Sequence, residues 1–514
     1  MLFNRFGSLP RKSTCSQMNT SEKPIASRIT IGAFWTVAMR LSLRAVGILS
    51  VIILARILVP DDFGIVAKAS MIASFLELIS EFGLTAALVQ NQNATDDHYD
   101  TVWTIHVIRG ALIGLILLVV AKPAAVFFRE PVLTSILFFY ALATFLDGLQ
   151  NVGVVNFWKN LEFDLEFRFN LYKKIFSFAV TIGVAIAFRT FWAFVAGVVT
   201  GSLVGLALSF VMSSYRPRLR LCEWRSLFDF SKWVFIHGLV SSLSVKLDTF
   251  VLSRFSTTDA VGLYTVAHEI AGAASTELAM PIARAVMPGL SKLKDNSDKF
   301  RDTYTSSILI LMILTLPAAT GLAALSDPIT LVVLGNKWLD ASSLIKILAF
   351  FGIMRAVFAM SSSAFMSSGK VKTFAQLSIF NLCLRTVGLS GGFMLNGLIG
   401  LAWGAVIASM IQMTVSTIIQ DRLALLGLRD LLNWIWRPLA ASILMFLVLT
   451  WSVNELVWQE VENLGLSLLY HVIIGAMLYL FFLWAMWRLS GDHGGPEVVV
   501  GRFLKAKIKF GGRG

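Results

Sequence analysis

The sequence predicts an all-α integral membrane protein, a polytopic bundle of about fourteen transmembrane helices. Of 514 residues, 56% are hydrophobic and only 15% charged, against about 25% charge in a soluble domain. Mean hydropathy is +0.73, and apolar stretches of about 20 residues, enough to cross a hydrocarbon core of roughly 30 Å, recur along the whole chain. Backbone groups in hydrocarbon must be satisfied within a helix or a closed barrel. The long apolar runs, without the ten-residue alternation of barrel strands, select helices.

The predicted spans are 31–58, 63–88, 100–121, 131–155, 168–188, 191–213, 231–254, 260–284, 304–325, 342–367, 371–394, 397–419, 437–454 and 464–488. Residues 156–170 are amphipathic and are expected to lie along the membrane interface. Loops between spans are short, too short for a folded extramembrane domain. Basic residues mark alternate loops: Lys159 to Lys174, Arg216 to Arg225, Lys292 to Arg301, Lys370 and Lys372, then Arg422 and Arg429. Both tails are basic as well, so the positive-inside rule places both termini in the cytoplasm. One loop on that side, Gln90 to His98, has no Lys or Arg.

The same asymmetry accounts for the formal net charge of +13, so a nucleic-acid partner is not expected. Cys15, Cys222 and Cys383 are isolated, which indicates neither disulfides nor a metal site. The first 28 residues lack the apolar core of a cleavable signal peptide.

Residues 54–66 (LARILVPDDFGIV) and 252–264 (LSRFSTTDAVGLY) align without gaps and share Leu, Arg, Asp and Gly at equivalent positions. Both copies occupy the outer turn between the first and second helices of a half. A duplication divides the chain into a basic tail (1–30), an N-lobe of helices one to six (31–213), a basic linker (214–230), a C-lobe of helices seven to twelve (231–420), two further helices (421–490) and a second basic tail (491–514). Parallel repeats of this kind place a substrate near the bilayer midplane, between the halves.

Charges inside a span cost roughly 2.5–3.5 kcal/mol on insertion scales and must face a cavity or a partner. Helical spacing puts Thr36, Arg40, Arg44 and Gly47 on one face of the first helix. Ser70, Ser74, Glu77 and Glu81 form a stripe on the second. His237, Ser241, Ser244 and Asp248 do so on the seventh, with Lys246 on the opposite side, and Glu269 and Arg284 lie on the eighth. Two guanidiniums one turn apart attract an anion, so Arg40 and Arg44 are candidates for a phosphorylated substrate, with an internal pair to Glu77 and Glu81 as the alternative. Lys246, Arg355 and Arg385 would extend the basic track. Glu77, Glu81, Asp248 and Glu269 are candidates for internal ion pairs or for coupling to a proton or sodium gradient. The histidines 106, 237 and 268 read as structural, and tryptophans near span ends as interface anchors.

These residues resemble the polysaccharide transporter family, the Wzx-type flippases of the multidrug/oligosaccharidyl-lipid/polysaccharide superfamily. The stretch VPDDFGIVAKASMIASFLELISEFGLTAALVQN matches the family's first-to-second helix signature at Pro60, Asp62, Phe63, Gly64, Glu81, Gly83, Leu84 and Gln90. A second block matches at Asp248, Arg254, Gly262, Leu263, Tyr264, Pro281, Pro288 and Leu290, and a third at Gly335 and Trp338. The resemblance spans about 30 to 490. It implies a two-lobed alternating-access fold without cofactors, whose substrate is an undecaprenyl-pyrophosphate-type lipid-linked oligosaccharide for exopolysaccharide, capsule or O-antigen synthesis. It also implies membrane lipids and the polymerase and chain-length or export proteins of such a pathway as partners. By location it assigns Arg40 and Arg44 to the pyrophosphate. A cation-coupled drug exporter of the same fold would favour an acidic cavity. A membrane polymerase or ligase would need a sizeable periplasmic loop, which the sequence lacks.

Overall fold

The computed structural model describes residues 25–79, 88–89, 94–222, 243–455 and 463–490. Among them every regular element is helical. The first long helix, α1 (Ile25–Ile57), ends two residues before α2 (Pro60–Ile79) begins. Proline opens α2 at no cost, because a first-turn N–H has no intrahelical partner. Asp61 and Asp62 follow in that turn, where the helix dipole favours negative charge. The repeat uses the same chemistry. A helix over 243–255, α7, is followed by α8 (Thr258–Lys292), capped by the Thr257 hydroxyl accepting from the Ala260 N–H, with Asp259 in its first turn.

Between them run α3 (Asp96–Phe127), α4 (Leu133–Gly148), α5 (Phe163–Phe188) and α6 (Trp192–Met212). The 156–170 segment is not one interfacial helix. After α4 the chain bends by 66° into the short helical stretch Val152–Lys159. The Asn151 side chain holds the bend, accepting from Gly153 N at 2.8 Å and donating to Tyr215 O at 2.7 Å. Leu161 then takes a left-handed conformation (φ 60°) and α5 starts at Phe163, so most of the amphipathic sequence is the polar first turns of a spanning helix.

The second half continues with α9 (Ser297–Ala324), short turns through 326–338, α10 (Ala341–Ser367) and α11 (Val371–Arg422). α11 is a hairpin of two helices broken at Asn396 and Gly397, the glycine at φ 53°. The C-terminal pair, α12 (Leu428–Glu455) and α13 (Leu464–Leu489), packs outside, α12 against α9 and α13 against α12. Among the described residues nine helices are long and apolar enough to cross a membrane, α11 counted once. The first part of the linker, 215–222, runs extended along the start of α3. Every second backbone N–H there finds a side chain on one helix face: Arg218 N to Asp100 (2.7 Å), Arg220 N to Thr104 (2.9 Å) and Cys222 N to Thr101 (3.2 Å).

The halves meet where α2 crosses α8. Gly64 lies on the Thr258 carbonyl, and Gly262 lies on the Pro60 carbonyl, both too close for a Cβ. Since Gly64 aligns with Gly262 and Pro60 with Thr258 in the repeat, the two contacts exchange under its pseudo-symmetry. A shared apolar core surrounds the crossing, with Leu54, Leu58, Phe63, Leu252, Val261, Tyr264 and Trp338 buried. Trp338 is fully buried, donates from Nε1 to Ala55 O at 2.9 Å, and meets Phe63 edge to face at 5.0 Å. Gly262→Val should therefore lower thermal stability by about 1–3 kcal/mol of overpacking, whereas Gly47→Ala, with open space around it, should be neutral. Thermal unfolding in detergent checks this, and a Gly262→Val variant as stable as the parent would contradict the close approach.

Candidate functional site

Three adjoining cavities lie away from the α2–α8 crossing. One of about 570 Å³ is lined by Arg40, Arg44, Trp158 and Glu166 on α1 and the start of the α5 region. A second of about 400 Å³, between α1, α8 and α10, is lined by Arg44, His268, Glu269 and Arg355. The third, about 160 Å³, lies within the second half and is lined by His268, Arg355 and Arg385, with Ser378, Asn381 and Gln412. Arg44 borders the first two, and Arg355 and His268 border the last two. Arg40, Arg44, Arg355 and Arg385, from three helices of two halves, thus form one continuous series.

Each arginine is set by its helix. On α1, Arg40 and Arg44 are one turn apart and project from one face. Arg44 crosses to the other half, donating to Glu269 Oε1 at 2.5 Å and to the Glu269 carbonyl at 3.3 Å. Both side chains are partly exposed to the cavity (24% and 42%), so the pair remains open to exchange with a solvated ion. On α11, Arg385 is buried and donates to Asp248 Oδ1 at 2.5 Å, while Tyr264 donates to Asp248 Oδ2 at 2.7 Å. The Phe351 ring covers the guanidinium at 5.0 Å. This second pair is closed to solvent, with both carboxylate oxygens occupied.

Four arginines in these walls face three acids, Glu166, Glu269 and Asp248. Arg355 makes no ion pair among the described residues and lies within electrostatic reach of Asp248, Glu269 and Arg385. Lys246 points away from Asp248 and lies within electrostatic reach of Glu77 across the halves; Glu77 also accepts from Thr144 at 3.3 Å. The sequence offered Glu77 and Glu81 as internal partners for the α1 arginines; the structure adds Glu269, which pairs with Arg44. Glu81, His237 and Ser241 lie outside the described residues. His268 packs between Tyr264 and Phe351.

Sequence reasoning passed over Lys68, which is 2% exposed. Its Nζ donates to Thr258 Oγ1 at 2.7 Å and pairs with Glu130 at 3.0 Å; Thr258 also donates to Glu130. This cluster ties α2 and the α3–α4 turn to the first residue of α8, beside the glycine crossing. A lone lysine within the apolar run of α2 was the available signal. At the same end Arg56 donates to the Leu331 and Val332 carbonyls of the second half, and its repeat equivalent Arg254 lies over Phe127 of the first, at 4.9 Å. The two arginines reach across in opposite directions, as the repeat requires. Asn381, Gln412 and Glu166 were likewise missed, because single amides and a carboxylate at a helix start carry no sequence signature.

Two helical halves closed against each other at one end, with a basic cavity between them, define a two-lobed polytopic membrane protein. A structure of the lipid II flippase MurJ in an inward closed conformation superposes with a TM-score of 0.71 at 15% identity, covering 89% of this chain and 99% of that one. The chain belongs to the polysaccharide biosynthesis protein family, whose model matches residues 53–343. It is 22% identical to the teichuronic acid biosynthesis protein TuaB of Bacillus subtilis over 89% of this chain and 96% of that protein. It is also 24% identical to the succinoglycan biosynthesis transport protein ExoT of Rhizobium meliloti, over 88% and 92% respectively.

The closed Asp248–Arg385 pair makes a separable prediction. Arg385→Met alone should cost about 3–5 kcal/mol, since it strands a buried carboxylate, whereas Asp248→Asn with Arg385→Met should recover much of the loss. A double-mutant cycle on thermal stability measures the coupling; additive losses would contradict it.

Proposed function

We propose that this protein translocates a polyprenyl-pyrophosphate-linked oligosaccharide across a bacterial inner membrane, delivering repeat units for surface polysaccharide synthesis. The row of four arginines along the cavities, in which Arg355 makes no ion pair among the described residues, carries this reading. A fixed cation in a membrane cavity is costly without a counter-charge, and a pyrophosphate supplies it at the moment of binding. Membership of a polysaccharide biosynthesis family and the likeness to a lipid II flippase point the same way. A cationic drug would meet repulsion along this track.

In this reading the fourteen crossings form two six-helix lobes plus α12 and α13, both termini are cytoplasmic, and the α2–α8 crossing is the periplasmic end. The headgroup enters from the cytoplasmic leaflet between Arg40, Arg44 and Arg355. Glu269 releases Arg44 to it, exchanging a carboxylate for a phosphate oxygen in a charge-assisted bond of the same kind. The closed end then opens by parting Lys68 from Thr258 and Gly64 from its facing carbonyl. The transporter works without catalytic groups or cofactors. Glu269, exposed to the cavity, is the residue we assign to proton or sodium coupling, because neutralising it returns Arg44 to the substrate. Products pass to a polymerase and chain-length or export proteins.

Arg44→Ala and Arg355→Ala should each slow translocation about tenfold or more, the loss of one charge-assisted bond of ~1.5–3 kcal/mol, with the protein still inserted. The assay reconstitutes the purified protein in vesicles and follows a polyprenyl-pyrophosphate glycan from one leaflet to the other. Parental rates in the double variant would refute the headgroup site. Collapsing both the proton and the sodium gradient should lower the parental rate to that of Glu269→Gln. Unchanged transport after collapse would exclude coupling.

A further inference from the structure

The 160 Å³ cavity of the second half holds three buried polar atoms that have no hydrogen-bond partner among the described residues: Arg385 Nε, Gln412 Nε2 and Asn381 Oδ1. Arg385 is 8% exposed and Gln412 4%, so solvent does not satisfy them cheaply. Leaving a buried donor or acceptor unmade costs about 1–3 kcal/mol, and such groups in native proteins call for a ligand, water or a functional reason. Two of the three are donors, and one belongs to a guanidinium whose Nη2 is already committed to Asp248. Beside them stands Arg355, with no ion pair of its own among the described residues.

We propose that this cavity is a subsite for a single carboxylated sugar of the translocated glycan. The unmet groups ask for two acceptor oxygens on one anionic group, to meet Arg385 Nε and Gln412 Nε2 beside Arg355, together with one hydroxyl to donate to Asn381 Oδ1. A uronate ring carries both, four to five bonds apart. Chloride offers no hydroxyl, and a neutral sugar offers no anion to the arginine-lined wall. Phe351 and Phe358 line the same cavity and suit the C–H faces of a sugar ring. The volume is below the roughly 300–1,000 Å³ of drug-sized pockets, which fits one ring and excludes a longer chain. Because Arg355 and His268 also border the 400 Å³ cavity, a sugar can sit here while the headgroup stays near Arg44. The subsite therefore rests on the translocation reading and adds the class of glycan, an acidic one.

The test uses the full chain in lipid nanodiscs and ligand-detected NMR with methyl β-glucuronide, methyl β-glucoside and acetate as probes. The glucuronide should bind about tenfold more tightly than either other probe, since each of those lacks one of the bonds the subsite offers. Gln412→Leu should reduce the preference for glucuronide over glucoside, and Gln412→Glu, which keeps the shape but repels the carboxylate, should abolish it; Arg44→Ala should leave it intact. Equal binding of glucuronide and glucoside, acetate binding as tightly as glucuronide, or a preference that survives both Gln412 variants would each overturn the subsite. A paired vesicle assay compares pyrophosphate-linked glycans with and without a uronate. Equal transport of both, with Gln412→Glu inert, would sink the subsite and leave translocation standing. Failure to move either glycan, with glucuronide preference intact, would sink translocation and keep the sugar site.

Discussion

The structure depends on one constraint: a charge placed among apolar helices must be neutralised, by the protein or by what the protein carries. The chain meets it in three different ways. Asp248 and Arg385 neutralise each other in a sealed pair that Tyr264 completes. Such a pair costs desolvation on both sides and is weak evidence for stability by itself, but it fixes α7 against α11. Arg44 and Glu269 pair across the halves while both remain open to the cavity. Arg355 has no ion pair among the described residues and borders two of the cavities. A gradation from closed through exchangeable to open runs along one line of cavities.

The closed end obeys a complementary rule. Two helices bring backbone to backbone only where both crossing residues are glycine, and Gly64 and Gly262 meet that need in both copies of the repeat. Duplication supplies the second glycine, the second N-terminal acid and the second cross-reaching arginine together. The match is not complete. Arg56 ends on carbonyls, whereas Arg254 ends on an aromatic face, and Lys68 is matched by Val266 in the second copy.

Much of this was legible in the sequence because its physics is local. Hydropathy located the helices, and a thirteen-residue repeat located the crossing between the halves. Four-residue spacing put Arg40 and Arg44 on one face. Side-chain direction separated Lys246 from Asp248, and the structure sends them to Glu77 and Arg385 respectively. What failed was pairing over distance. Arg44 finds Glu269, 225 residues away, a partner that no local pattern names. Lys68 escaped notice because its partners come from the α3–α4 turn and from α8. The bend at Asn151 was also hidden, since it is held by Tyr215, far along the chain. Amphipathic periodicity in 156–170 was real, but a bent turn and a polar helix start share that periodicity with an interfacial helix.

The central claim is that the arginine series holds an anionic lipid headgroup. It is tested most directly by measuring binding of a short-chain polyprenyl pyrophosphate and of the matching uncharged polyprenol to the purified protein. The account predicts that the pyrophosphate binds about tenfold or more tightly, the scale of at least one charge-assisted bond, and that added salt weakens it. Equal binding of the two lipids, insensitive to salt, would contradict it.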